Sequence, residues 1–174
     1  MICSCCGNLV CGFCSQRILT SDHDQLKCPV CRNNYNTSVD VLVSNLEKTC
    51  QRDGSHIDDA KVCLGAQYFR QKKFRKSRRV LESLGDEIKK YKGGYYYLAM
   101  LYRYGLGGPK KPTKAFKMFL DISSVGRSLF YIGEMFILGE GIEKNKEYGS
   151  GLIEIQKKRK IFPIHYRTGK NIIT

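Results

Sequence analysis

Seven cysteines lie within the first 31 residues, as CSCCGNLVCGFC from Cys3 to Cys14 and, thirteen residues later, as CPVC from Cys28 to Cys31. A thiolate is a strong, soft zinc ligand, and two cysteines separated by two residues can aim both sulfurs at one tetrahedral ion from a tight backbone turn. Cys11 with Cys14 and Cys28 with Cys31 are two such pairs, and Cys3, Cys5 and Cys6 are at hand to complete the coordination. The spacing predicts that one or two Zn2+ ions are bound. Disulfides are the competing use of cysteines this dense. The residues after Met1 lack the basic flank, long apolar core and small-residue cleavage site of a secretory signal. A reducing compartment, cytoplasm or nucleus, is therefore expected, and it favours metal over disulfides.

A second group that could do chemistry is the run RQKKFRKSRR, in which Arg70, Lys72, Lys73, Arg75, Lys76, Arg78 and Arg79 place seven positive charges in ten residues. Lys157 to Lys160 adds KKRK. Such runs can contact nucleic-acid phosphates, acidic proteins or a nuclear import receptor. A solvated helix face is the plainer reading. The tyrosines Tyr91, Tyr95, Tyr96, Tyr97, Tyr102 and Tyr104 invite base stacking, yet Tyr97 and Tyr102 recur 34 residues later as Tyr131 and Phe136, which points to packing. Thr168-Gly169-Lys170 lacks the upstream glycines of a phosphate loop. No paired acid and base, and no activated nucleophile, is visible.

The elements that must carry these groups follow from composition and period. The chain has 174 residues, 42% of them hydrophobic, and a formal net charge of +14. No apolar stretch is long enough to cross a bilayer. Residues 1–50 hold four basic and four acidic side chains, whereas residues 51–174 hold 26 and 12, so all the excess positive charge lies in the second part. Between the two, Val39, Leu42, Val43 and Leu46 recur at i, i+3, i+4 and i+7 behind Thr37 and Ser38, the pattern of a capped amphipathic helix ending near Cys50. Cys63, beside Leu64, reads as a core thiol.

The second part repeats. Leu64-Gly65-x-x-Tyr68, Leu98-Ala99-x-x-Tyr102 and Ile132-Gly133-x-x-Phe136 start 34 residues apart each time. A fixed period of this length marks stacked helical hairpins. In each copy the large apolar residue and the aromatic share one helix face, and the small residue between them lets a second helix approach. Ser77, Ala115 and Gly149 are the small residues expected on those second helices. Gly105-Leu106-Gly107 and Gly139-Glu140-Gly141 are matching turns. Copy one lacks the glycines and reaches its small residue four positions sooner, so a shorter turn is expected there. Three hairpins are near the minimum for a stable stack, and the flanking helix and the C-terminal tail are the candidate caps.

Two resemblances follow from these residues. Cys6-Gly7-Asn8-Leu9-Val10-Cys11-Gly12-Phe13-Cys14 with Cys28-Pro29-Val30-Cys31-Arg32 resembles the central and final parts of a RING finger, and the 34-residue hairpins resemble Sel-one-like repeats, relatives of the tetratricopeptide repeat. The first resemblance implies two zincs in a cross-braced arrangement. Cys11 and Cys14 would share one ion with an earlier cysteine pair, and Cys28 and Cys31 the other with Cys6 and a histidine. This chain has Asn8 where the family has that histidine, so either Cys5 substitutes or the second site is weak. The early pair is absent in its usual form: either Cys3 with Cys5 or Cys6 is rearranged, or the chain begins inside the module. His23 is a further candidate ligand. By the same resemblance Pro29 belongs to a surface that docks a ubiquitin-conjugating enzyme, and Arg32 restrains the charged ubiquitin, an acceleration by positioning. The family's apolar docking residue within the first cysteine pair has no counterpart here, which weighs against ligase activity.

The expected fold is mainly α: a short α-solenoid of helical hairpin repeats preceded by a small irregular zinc-binding RING-like module. The expected organisation is a zinc module over 1–36, a connecting helix and linker over 37–57, repeats over 58–160 and a tail over 161–174. The expected function is protein–protein recognition with RING-type ubiquitin-ligase character, the hairpins holding protein clients. A zinc-binding scaffold without ligase activity and a nucleic-acid binder using the basic repeat face are the alternatives. No membrane partner is expected.

Overall fold

The computed structural model describes residues 39–51, 57–124 and 126–158. The cysteine cluster, Pro29, Arg32 and the tail lie outside the described residues. Within them every regular element is helical. In order these are α1 (Val39–Cys50), α2 (Ile57–Arg70), α3 (Phe74–Glu82), a 3-10 helix (Gly85–Lys90), α4 (Lys92–Tyr104), α5 (Pro112–Asp121), α6 (Gly126–Leu138) and α7 (Lys146–Lys158). The chain divides into two compact units, with the break between Gly85 and Asp86.

Helices α2 and α3, α4 and α5, and α6 and α7 form three packed pairs. Helix α2 ends at Arg70, α4 at Tyr104 and α6 at Leu138, which keeps the 34-residue period. The turns set the second helices. Seven residues, 105–111 and 139–145, separate the helices of copies two and three, but only Gln71, Lys72 and Lys73 separate α2 from α3. The expected four-residue shortening is therefore a loss from the turn alone.

The two long turns share their hydrogen bonds. Leu106 N–H donates to the Leu101 carbonyl at 2.9 Å and Glu140 N–H to that of Met135 at 3.0 Å. Each bond wraps a helix end in a left-handed residue, Gly105 at φ 68° and Gly139 at φ 74°, which glycine adopts without a Cβ penalty. Each turn then closes on the aromatic of its motif. Lys111 N–H reaches the Tyr102 carbonyl at 2.8 Å, and Asn145 N–H that of Phe136 at 2.9 Å. Copy one makes the same closure, Lys73 N–H to Tyr68 at 2.9 Å, and manages it with Lys72 at φ 58°.

In the first unit α1 packs on α2. Val43, Leu46, Ala60, Leu64 and Tyr68 form one buried cluster, edged by Leu42, Cys50, Cys63 and Val80. Val39, the first residue of the predicted apolar face, is instead 51% exposed. In the second unit α5 packs on α6. The Phe119 and Tyr131 rings stack there at 5.3 Å, and Phe116 meets Phe136 edge-on at 5.5 Å.

Candidate functional site

The repeated motif residues do in space what their spacing implies. Leu64, Leu98 and Ile132 are buried. Opposite them, the Ser77 hydroxyl donates to the Gly65 carbonyl at 2.8 Å, and Ala115 is fully buried. Gly133 and Gly149 face each other so closely that a Cβ on Gly149 would lie 2.5 Å from the Gly133 carbonyl oxygen. The residue just before each small one covers the motif aromatic. The Lys76 ammonium lies 5.5 Å from the Tyr68 ring centroid, the Lys114 ammonium 4.6 Å from that of Tyr102, and the Tyr148 ring 4.9 Å from that of Phe136. A cation over an aromatic face is held by the ring's quadrupole.

An ion cluster joins copies two and three. Arg103 on α4 is buried, with its Nη1 2.8 Å from Glu134 on α6 and its Nε 2.9 Å from Glu140 in the following turn. Lys110 reaches the other Glu140 oxygen at 2.9 Å. The guanidinium also lies 5.0 Å from the Tyr104 ring and 5.5 Å from the Tyr131 ring. Burial works against the charge on Arg103, but Tyr104, Glu134 and Glu140 outweigh it and its pKa is raised. Burial likewise opposes ionisation of Glu140, and the hydrogen bonds from Lys110 and Arg103 reverse the effect, leaving its pKa lowered. Sequence reading did not find this cluster. The signal available was a lone arginine among the apolar residues 98–104 and a lone glutamate among 128–138, of opposite sign.

The tyrosines are packing residues. Tyr95 and Tyr102 are buried and the others half-buried. Tyr95 bonds Asp121 at 2.9 Å, and the Tyr96 and Tyr131 hydroxyls lie 3.3 Å apart. Burial pushes the Tyr96 phenol up to about 12.

Of the seven basic residues from Arg70 to Arg79, six are exposed. Arg78 turns inward, 5% exposed, and bonds Glu82 at 3.0 Å. Cys50 and Cys63 are half-buried thiols at the edge of the first core, and burial raises both pKa values, as suits packing residues. Among the described residues no group of three or more His, Cys, Asp or Glu is gathered as a metal site, and no helix is long and apolar enough to cross a membrane. The predicted zinc ligands Cys3, Cys5, Cys6, Cys11, Cys14, Cys28 and Cys31 are not among those residues. No protein-family model, curated protein or solved structure gives a significant match to the chain.

Proposed function

We propose that this chain is a protein-recognition adaptor, in which a cysteine-rich, RING-like zinc segment is joined to a short α-solenoid of Sel-one-like hairpins that hold a protein client. The observation that carries the reading is the threefold recurrence of one hairpin design. The same turn closure at Tyr68, Tyr102 and Phe136 recurs in each copy, and the small residue of each second helix, Ser77, Ala115 or Gly149, is buried. Hairpins of this kind stack through shared faces and present their remaining side chains to partners. The soft thiolate donors from Cys3 to Cys31 suit zinc, which would hold that segment folded. Through the RING resemblance the adaptor would bring a client to a ubiquitin-conjugating enzyme, with Arg32 restraining the charged ubiquitin.

Two measurements test the two halves. Zinc-dependent discharge of ubiquitin from a conjugating enzyme, weakened by Arg32→Ala, is expected; absence of discharge across a panel of conjugating enzymes removes the ligase half and leaves the scaffold. Cross-linking in cells should join lysines of residues 57–158 to other proteins, and a complete lack of such links removes the platform half.

Nucleic-acid binding is the second reading, favoured by the six exposed cations of residues 70–79. It requires affinity that falls steeply with salt and weakens when those charges are neutralised. A flat salt response excludes it.

A further inference from the structure

The basic run of copy one is half of a repeated feature. Once the four-residue difference in turn length is allowed for, Lys73, Lys76 and Arg79 occupy the positions of Lys111, Lys114 and Lys117. In both copies the three cations stand four before, one before and two after the small residue, Ser77 or Ala115. All six are exposed, and none forms an ion pair among the described residues. Copy three has Asn145, Tyr148 and Gly151 at the same stations, which carry no charge. Cations at i, i+3 and i+6 spread over about a third of a helix circumference and ~9 Å of its length. Each triad therefore forms a short local ramp of charge at the start of α3 or α5.

We infer that each triad is a docking site for an acidic segment of a protein partner, present in copies one and two and absent from copy three. Charge complementarity selects an acidic ligand, and the neighbouring side chains select protein over nucleic acid. The aromatic beside each triad, Tyr68 or Tyr102, is 3–4% exposed and lies under a lysine, so neither ring offers a stacking platform for bases. In copy two, Leu120, one turn beyond Lys117, is 46% exposed and suits an apolar side chain of the partner rather than a phosphate backbone; copy one has Glu82 at that station, paired with Arg78. This rests on the hairpins being a recognition platform and names the chemistry of what they recognise.

The test uses the full chain and a labelled polyglutamate peptide, alongside a nucleic-acid duplex and single strand of similar charge, with helicity checked by circular dichroism. Neutralising either triad, Lys73→Gln with Lys76→Gln and Arg79→Gln, or Lys111→Gln with Lys114→Gln and Lys117→Gln, is expected to weaken peptide binding about tenfold. An equal charge loss elsewhere, Lys144→Gln with Lys146→Gln and Lys157→Gln, should change it less than about twofold. Building the triad into copy three, by Asn145→Lys, Tyr148→Lys and Gly151→Lys, should add a site and tighten binding; Gly151 has open space for a side chain. The inference is overturned if the triad variants bind like the wild type, if the control loses as much, or if duplex or single strand is bound more tightly and is what the triads govern. Any of these with the cellular cross-links intact leaves the platform standing, whereas loss of the cross-links overturns the platform itself.

Discussion

A methyl group added at Gly149 meets the Gly133 carbonyl oxygen at 2.5 Å and Ile137 Cγ1 at 2.8 Å, whereas one added at Gly151 meets nothing within 4 Å. Overpacking against backbone costs typically about 1–3 kcal/mol, and the gain in helix propensity from glycine to alanine is about 1 kcal/mol. Gly149→Ala is therefore expected to destabilise by up to about 2 kcal/mol, and Gly151→Ala to stabilise by about 1 kcal/mol, read by urea unfolding. Arg103 supplies a second contrast. Removing both of its carboxylates, by Glu134→Gln with Glu140→Gln, strands a buried charge and should cost about 3–5 kcal/mol. Glu140→Gln alone leaves the Glu134 contact and should cost less. The lowered pKa of Glu140 also gives the ion cluster a pH signature. A carboxyl depressed in the folded state contributes stability in full above its unfolded value, near 4.5, and loses it as pH falls through the folded value. Thermal unfolding followed from pH 7 down to pH 3 should show that acid loss blunted in Glu140→Gln. Gly149 and Ser77 were legible as close-approach residues because the motif spacing fixes where a second helix must come near. The Arg103 cluster was not, because a charge is buried only by elements distant in sequence.

At the scale of the element, the three turns solve one closure with two lengths. Copies two and three end their first helix on a glycine in the left-handed region, while copy one bends at Lys72 with φ 58°. A left-handed side-chain-bearing residue is strained, so Lys72→Gly should raise stability by about 0.5–1 kcal/mol, the freer unfolded chain cancelling part of the relief. A lower midpoint for the variant would show that the Lys72 side chain contributes more than its backbone costs. The helices themselves were readable from apolar period, and α1 runs to the predicted Cys50. The exposed Val39 marks the limit of that reading: periodicity assigns a face, but only packing decides how far along the helix the face is used.

For the molecule as a whole, the uneven charge and the cysteine cluster divide the sequence before any packing is considered. The compact units divide it elsewhere, between Gly85 and Asp86, with α1 in the unit of copy one. Composition cannot register that break, which depends on which helices share a core. The zinc expectation has a direct measurement in native mass spectrometry of the reduced chain. Two ions, falling to one in Cys28→Ser, are expected if the rearranged cysteines still complete a cross-braced module; a single ion unaffected by Cys28→Ser would remove the second site. Copies two and three keep one another's register from Lys92 through the starts of α5 and α7, with no residue gained or lost. Such identity of length means that misaligned recombination within the gene could delete or duplicate a hairpin and still leave every helix in phase with its neighbours. A crossover between copies one and two, aligned on Leu64 and Leu98 or on Ser77 and Ala115, also keeps the helices in phase and changes only which turn length the joined hairpin carries. The number of hairpins is thus open to hereditary change, and each recombinant hairpin inherits one of the two turn lengths.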